Sequence, residues 1–164
     1  MNTETLKKTK EKIPLPELYE RYAKDIFRYS FSILKDEDDA KDAVQEVFVK
    51  YAENENSFKR NCSYKTWLLV LTRNYCFNKT KSKGFNNTSL EEQTFIRNYE
   101  ASYDTQITVR DALMQLSPED NELIYLREYE SYSYKEIAEI TEQSLENVKI
   151  KIFRARQKLR KILR

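Results

Sequence analysis

A single glycine, Gly84, has to serve all 164 residues, and only three prolines stand beside it. Sandwiches, barrels and hairpin stacks need turn residues at most chain reversals, so a β-rich fold is out of reach. A glycine-rich phosphate loop or dinucleotide fingerprint fails on the same count. The chain also lacks histidine altogether, which removes Ser-His-Asp and Cys-His catalysis and every His-ligated metal site. Its two cysteines, Cys62 and Cys76, form no metal-ligand pair and suit a reducing compartment. Apolar residues at 40% and 12 tyrosines supply enough material for a core and argue against disorder. The longest apolar run, Trp67 to Leu71, is far too short to span a bilayer. The start of the chain (Lys7, Lys8, Lys10, Glu11, Lys12) has no signal-peptide core. These features predict an all-α, cytoplasmic protein with no membrane insertion, no metal and no cofactor.

Net charge is only +2, but this is a cancellation of blocks. Residues 57–85 hold seven basic and no acidic side chains, and residues 144–164 hold eight basic against one acidic. Residues 13–56 and 86–143 are correspondingly acidic. Two separate cationic segments point to two places where a polyanion is held. The plain alternative is a pair of solvated charged faces, which explains one block better than two that are each mixed with apolar or aromatic residues.

Helical spacing organises most of the chain. Leu15, Leu18, Tyr22, Ile26, Tyr29 and Ile33 make one face of a helix, with Pro14 and Pro16 at its tolerant start. Asp36 caps a second, whose stripe is Ala40, Ala43, Val44, Val47, Phe48 and Tyr51. After a basic loop, Ser63 caps a third, with Trp67, Leu68, Leu71 and Tyr75 inward. Periodicity then fails from Lys83 to about Thr105, around Gly84 and Asn86-Asn87-Thr88-Ser89, which reads as a linker, partly helical at most, and as the domain boundary. Ser117-Pro118-Glu119-Asp120 opens a later helix, and Ser133-Tyr134-Lys135-Glu136 is a capping box for the next. Ser144 caps the last, whose stripe is Val148, Ile152, Ala155, Leu159 and Ile162. The expected architecture is two small helical domains joined by a linker. A basic tail covers 1–12, the first domain 13–82, the linker 83–106 and the second domain 107–164.

A short helix, a three-residue break at Thr141–Gln143 and a longer basic helix form a helix-turn-helix pattern. Its second helix offers Ser144, Glu146, Asn147, Lys149 and Ile150 to base edges, and Lys151, Arg154, Arg156 and Lys158 to phosphates. A helical hairpin with a solvated basic face is the bland alternative. In the first domain, residues 57–85 interleave cations with Phe58, Tyr64, Trp67, Tyr75, Phe77 and Phe85, a composition suited to unpaired bases. Trp67 and Tyr75 are equally well explained as core residues. Tyr64 and the loop Lys59-Arg60-Asn61-Cys62-Ser63 are better placed for exposed contact.

The stretch Leu116-Ser-Pro-Glu-Asp, then Tyr132-Ser-Tyr-Lys-Glu-Ile-Ala-Glu, then Val148-Lys-Ile-Lys-Ile-Phe-Arg-Ala-Arg-Gln-Lys-Leu resembles region 4 of bacterial RNA polymerase sigma factors, in particular the extracytoplasmic-function class. Ala40 to Lys50 resembles region 2.2, and Phe58 to Asn74, around Ser63-Tyr-Lys-Thr-Trp-Leu, resembles regions 2.3 and 2.4. The resemblance implies a non-catalytic initiation subunit of the polymerase. Asp42, Gln45, Glu46 and Val49 would dock on the beta-prime clamp helices, with Phe48 in the core. Lys59, Arg60, Asn61, Cys62, Ser63, Tyr64, Trp67, Arg73, Asn74, Asn78 and Lys79 would hold and melt the minus-10 element. Ser144, Glu146, Asn147, Lys149, Ile150, Lys151, Arg154, Arg156 and Lys158 would meet the minus-35 duplex, while the same domain docks on the beta flap. Implied partners are therefore core RNA polymerase and promoter DNA, both duplex and melted, with an anti-sigma factor or another recruiting protein as a further partner.

The chain departs from the family pattern in several places. Glu142 and Gln143 stand where glycine and an aliphatic residue are common in the turn, so a different turn conformation is expected, positive φ being costly with a β-carbon. Asn147 replaces a usual threonine, Ile150 a small polar residue, and Asn78 a usual aspartate. These changes predict an unusual or weak upstream preference and delivery to promoters by another protein. Three other functions stay in play: a stand-alone helix-turn-helix regulator, a carboxylate-metal nuclease and a pure interaction module. The first leaves the 40–50 segment unexplained. In the second, Asp36, Asp38 and Asp39 are accounted for as helix-capping acids.

Overall fold

The computed structural model describes residues 12–57, 63–87 and 108–163. The loop Lys59–Cys62, nearly all of the basic tail and most of the expected linker lie outside the described residues. Within them the chain forms seven α-helices and no strand. These are α1 (Leu15–Leu34), α2 (Glu37–Glu53), α3 (Tyr64–Asn87), α4 (Val109–Met114), α5 (Pro118–Ile124), α6 (Tyr134–Thr141) and α7 (Leu145–Leu163). A 3-10 turn (Glu55–Ser57) follows α2, and α5 runs on into a π-helical turn, Tyr125–Tyr129.

The starts of the helices follow from side-chain chemistry. Asp36 accepts from Asp39 N at 2.8 Å, Ser63 Oγ from Thr66 N at 3.1 Å, Ser117 Oγ from Asp120 N at 3.2 Å and Ser144 Oγ from Asn147 N at 3.2 Å. Each satisfies one of the amide donors that a helix leaves unpaired at its first turn. Ser133 and Glu136 close the expected capping box of α6, and Thr108 with Asp111 makes another on α4. Helix α3 continues through Gly84 to Asn87, into the stretch read as a linker that is partly helical at most. A lone glycine inside a helix costs about 1 kcal/mol, which the preceding five turns of α3 can absorb.

Helices α1, α2 and α3 enclose one core of Leu18, Ile26, Val44, Val47, Phe48, Tyr51 and Leu68. A small cluster of Leu116, Ile124 and Ala155 joins the α4–α5 segment to α7. The largest cluster belongs to neither half. Tyr29, Ile33, Ala43, Leu69 and Cys76 pack with Leu123, Leu126, Ile137, Ile140, Val148 and Ile152. Burying a side chain of this size contributes about 1.5–3 kcal/mol, so the two halves are held by a continuous apolar seam. Polar contacts lace it. Asn121 Nδ2 donates to Ser32 O at 2.6 Å, Lys35 Nζ donates to Leu116 O, and the Tyr29 hydroxyl donates to Glu122. Burial raises the Cys76 thiol to about 12, so it sits in this core as a protonated, inert group.

Candidate nucleic-acid interface

Helix α7 separates its faces as its spacing predicts. Val148, Ile152 and Ala155 are fully buried, whereas Glu146, Asn147, Lys149, Ile150, Arg154 and Lys158 are exposed. Its cations differ in engagement. Arg156 Nε donates to Glu128 at 2.7 Å and Lys158 Nζ to Asp120 at 2.6 Å, both acids of the α5 segment. Lys151 Nζ donates to Gln143 Oε1 at 2.8 Å, and Asn147 Nδ2 reaches the same oxygen at 3.3 Å. Gln143 therefore orients two candidate DNA-contacting side chains, a role the sequence does not announce. Phe153 is likewise unforeseen. It is 58% exposed, and its position off the Val148–Ile152–Ala155 stripe was the available signal.

The turn before α7 corrects one expectation. Glu142 adopts φ 52 and ψ 43 and caps α6 in the left-handed conformation, so the missing glycine does not change the turn. The β-carbon carries a strain of about 1–2 kcal/mol there, offset by the bonds that Glu142 N and Gln143 N donate to Ala138 O.

In the first half the candidate minus-10 residues do not all share one surface. Ser63, Asn74 and Asn78 are exposed. Trp67 is half-buried against the α1–α3 core, edge-on to Tyr51 at 5.2 Å. The Tyr64 hydroxyl accepts from Ile13 N at 3.4 Å. Lys79 pairs with Asp39 at 3.1 Å, and that carboxylate raises the ammonium's pKa against the opposing effect of burial. Arg73, stacked 4.8 Å from the Phe77 ring, donates from Nε to Glu122 at 2.8 Å. Lys65 was not singled out from the sequence. It bonds Glu130 at 2.7 Å and lies 3.9 Å from Asp25, and its spacing from buried Leu69 was the legible clue.

On the outer face of α2, Asp42, Gln45, Glu46 and Val49 are all exposed, while Phe48 beneath them is 5% exposed. Beside them runs an open groove lined by Tyr19, Ala23, Phe27, Val44 and Gln45. Among the described residues no cluster of acids or thiols could hold a metal ion, and no helix is long and apolar enough to cross a membrane.

Comparison with known proteins matches residues 18–85 to Sigma-70 region 2 and residues 106–159 to Sigma-70, region 4. The RNA polymerase sigma factor YlaC of Bacillus subtilis (strain 168) is 30% identical, with 93% of each chain covered. The chain belongs to the extracytoplasmic-function class of RNA polymerase sigma factors. The sigma factor SigM of B. subtilis, itself of this class, is 28% identical over 89% of this chain and 93% of its own. Two solved structures share the fold. The sigma factor RpoE in complex with the anti-sigma factor NepR, from Bartonella quintana, has a TM-score of 0.70 at 21% identity and covers 90% of this chain and 95% of its own. CnrH in complex with the cytosolic domain of CnrY has 0.66 at 22%, covering 91% and 86%. This sigma factor is thus a non-catalytic subunit of RNA polymerase that directs transcription initiation.

Proposed function

We propose that residues 13–82 of this sigma factor dock on the beta-prime clamp helices and open the minus-10 element, while residues 107–164 hold the minus-35 duplex and the beta flap. The observation that carries the docking step is the α2 face. Four side chains singled out from the sequence, Asp42, Gln45, Glu46 and Val49, are exposed together on one helix whose opposite face is core. Exposed Asn74 and Asn78, one helical turn apart on α3, supply hydrogen-bonding groups for unpaired bases, and Ser63 stands at the start of the same helix. Energy spent on an extruded base favours the open duplex over the closed one, so no covalent chemistry is required of the protein. Lys149 and Arg154 are exposed on α7 and make no ion pair among the described residues, and they serve the upstream phosphates. Asn147 and Ile150 at the base-reading positions give this factor an unusual or weak upstream preference, so a recruiting protein assists delivery. An anti-sigma partner is proposed on the strength of the relative solved with one.

The test is holoenzyme binding to a promoter library, read by protection of each element. Asn74→Ala with Asn78→Ala should remove minus-10 protection and leave the upstream contact. Lys149→Ala with Arg154→Ala should do the reverse. Loss of both elements together in either variant would contradict the division of labour.

A further inference from the structure

One cation that the first half would give to promoter DNA, Arg73, is already occupied by the second half. Arg73 Nε donates to Glu122 Oε1 at 2.8 Å, and the Tyr29 hydroxyl donates to that same oxygen. The Glu122 side chain is 1% exposed, against 21% for Arg73. Leu123 and Leu126, which follow Glu122, pack into the seam beside Tyr29, Leu69 and Cys76, and Asn121 fastens it to the end of α1. A carboxylate on a guanidinium presents the charge and acceptor geometry of a phosphate.

We propose that α5 is an autoinhibitory arm, in which Glu122 takes the place of a DNA phosphate on Arg73, so that closure of the two halves and DNA contact through Arg73 exclude each other. The inference rests on reading Arg73 as a minus-10 contact. Asn74 and Asn78 stay exposed in the closed arrangement, so closure withholds the charge and leaves the base-reading amides in place. A second ion pair, Lys65 with Glu130 at 2.7 Å, also joins the two halves. The apparent affinity for melted DNA is then the intrinsic affinity scaled by the open fraction, and a partner that parts the seam releases it.

The experiment uses the full chain and a fluorescent single-stranded oligonucleotide pool carrying degenerate minus-10 sequences, with hydrodynamic radius measured in parallel. Two seam variants are compared, Glu122→Lys and Asn121→Ala, with helix content checked by circular dichroism. Both should enlarge the radius and tighten binding, by about tenfold for Glu122→Lys, or roughly 1.4 kcal/mol. Adding Arg73→Ala should abolish the gain. An unchanged radius in both variants, an enlarged radius without tighter binding, or a gain that survives Arg73→Ala would each overturn the proposal. Arg73→Ala is also assayed in holoenzyme on a promoter. If promoter binding is not weakened there, the assignment of Arg73 to DNA has failed. If it is weakened but the seam variants gain nothing, autoinhibition alone has failed.

Discussion

Replacing Tyr29 by phenylalanine isolates one bond at the centre of the seam. Tyr29 is fully buried, and its hydroxyl donates to the carboxylate of Glu122. The ring remains, so no cavity term arises. A buried hydrogen bond to a charged group contributes about 1.5–3 kcal/mol. Arg73 still serves the same carboxylate oxygen, so the charge is not orphaned and the loss stays below the roughly 3–5 kcal/mol of a broken buried pair. The substitution should therefore cost about 2 kcal/mol, which for a chain of this size lowers the melting midpoint by about 4–8 °C. Urea unfolding of the full chain measures it. Because the apolar seam joins the halves, wild type should unfold in one transition with a single midpoint. A cycle with Glu122→Gln should return a coupling of about 1 kcal/mol or more. A loss under about 0.5 kcal/mol, or two separate transitions with only the first shifted, would refute this account of the seam.

Three further outcomes follow from the same geometry. Glu142→Gly relieves the β-carbon at φ 52 and should stabilise the chain by about 0.5–1 kcal/mol after glycine's entropy is subtracted; destabilisation in a thermal melt would contradict the strain. Burial, against the pull of Arg73 and Tyr29, raises the Glu122 carboxyl above its ordinary range. The sign is that of a raised group, so its contribution is fully present below the unfolded pKa of about 4.3 and is lost as pH rises through the folded value. Wild type should thus lose more stability than Glu122→Gln over that rise, and parallel stability–pH curves would refute the assignment. Removing Lys149 or Arg154 should each flatten the log–log salt dependence of upstream DNA binding by about 0.9, and an unchanged slope would place those side chains away from phosphate.

Much of this molecule is legible in its residues. One glycine and recurrent apolar spacing give the helices, and Asp36, Ser63, Ser117, Ser133 and Ser144 mark their starts because capping is local chemistry. The exposed α2 face was legible for the same reason, since Phe48 and Val47 fix which side is core. The shared seam was not. Tyr29, Leu69 and Leu126 read as ordinary stripe residues of their own helices, and periodicity says which face is buried but not against what. Glu122 was missed because a lone acid near a helix start is usually explained by the dipole. Its alignment with Leu126, one turn on and fully buried, was the clue. The turn at Glu142 shows the opposite case, in which a residue preference points away from the left-handed region and the capping bonds to Ala138 O override it.

The central claim is tested most directly by transcription from a promoter library with bacterial core polymerase, comparing no factor, the wild-type chain and a Gln45→Ala, Glu46→Ala variant. Both side chains are exposed on α2, so the variant should keep its stability within about 0.5 kcal/mol. The account predicts initiation that requires the chain and is weakened by the variant at limiting factor concentration. Initiation by the variant at the wild-type level would contradict docking through α2, and no chain-dependent initiation despite core binding would contradict direct promoter opening by this factor.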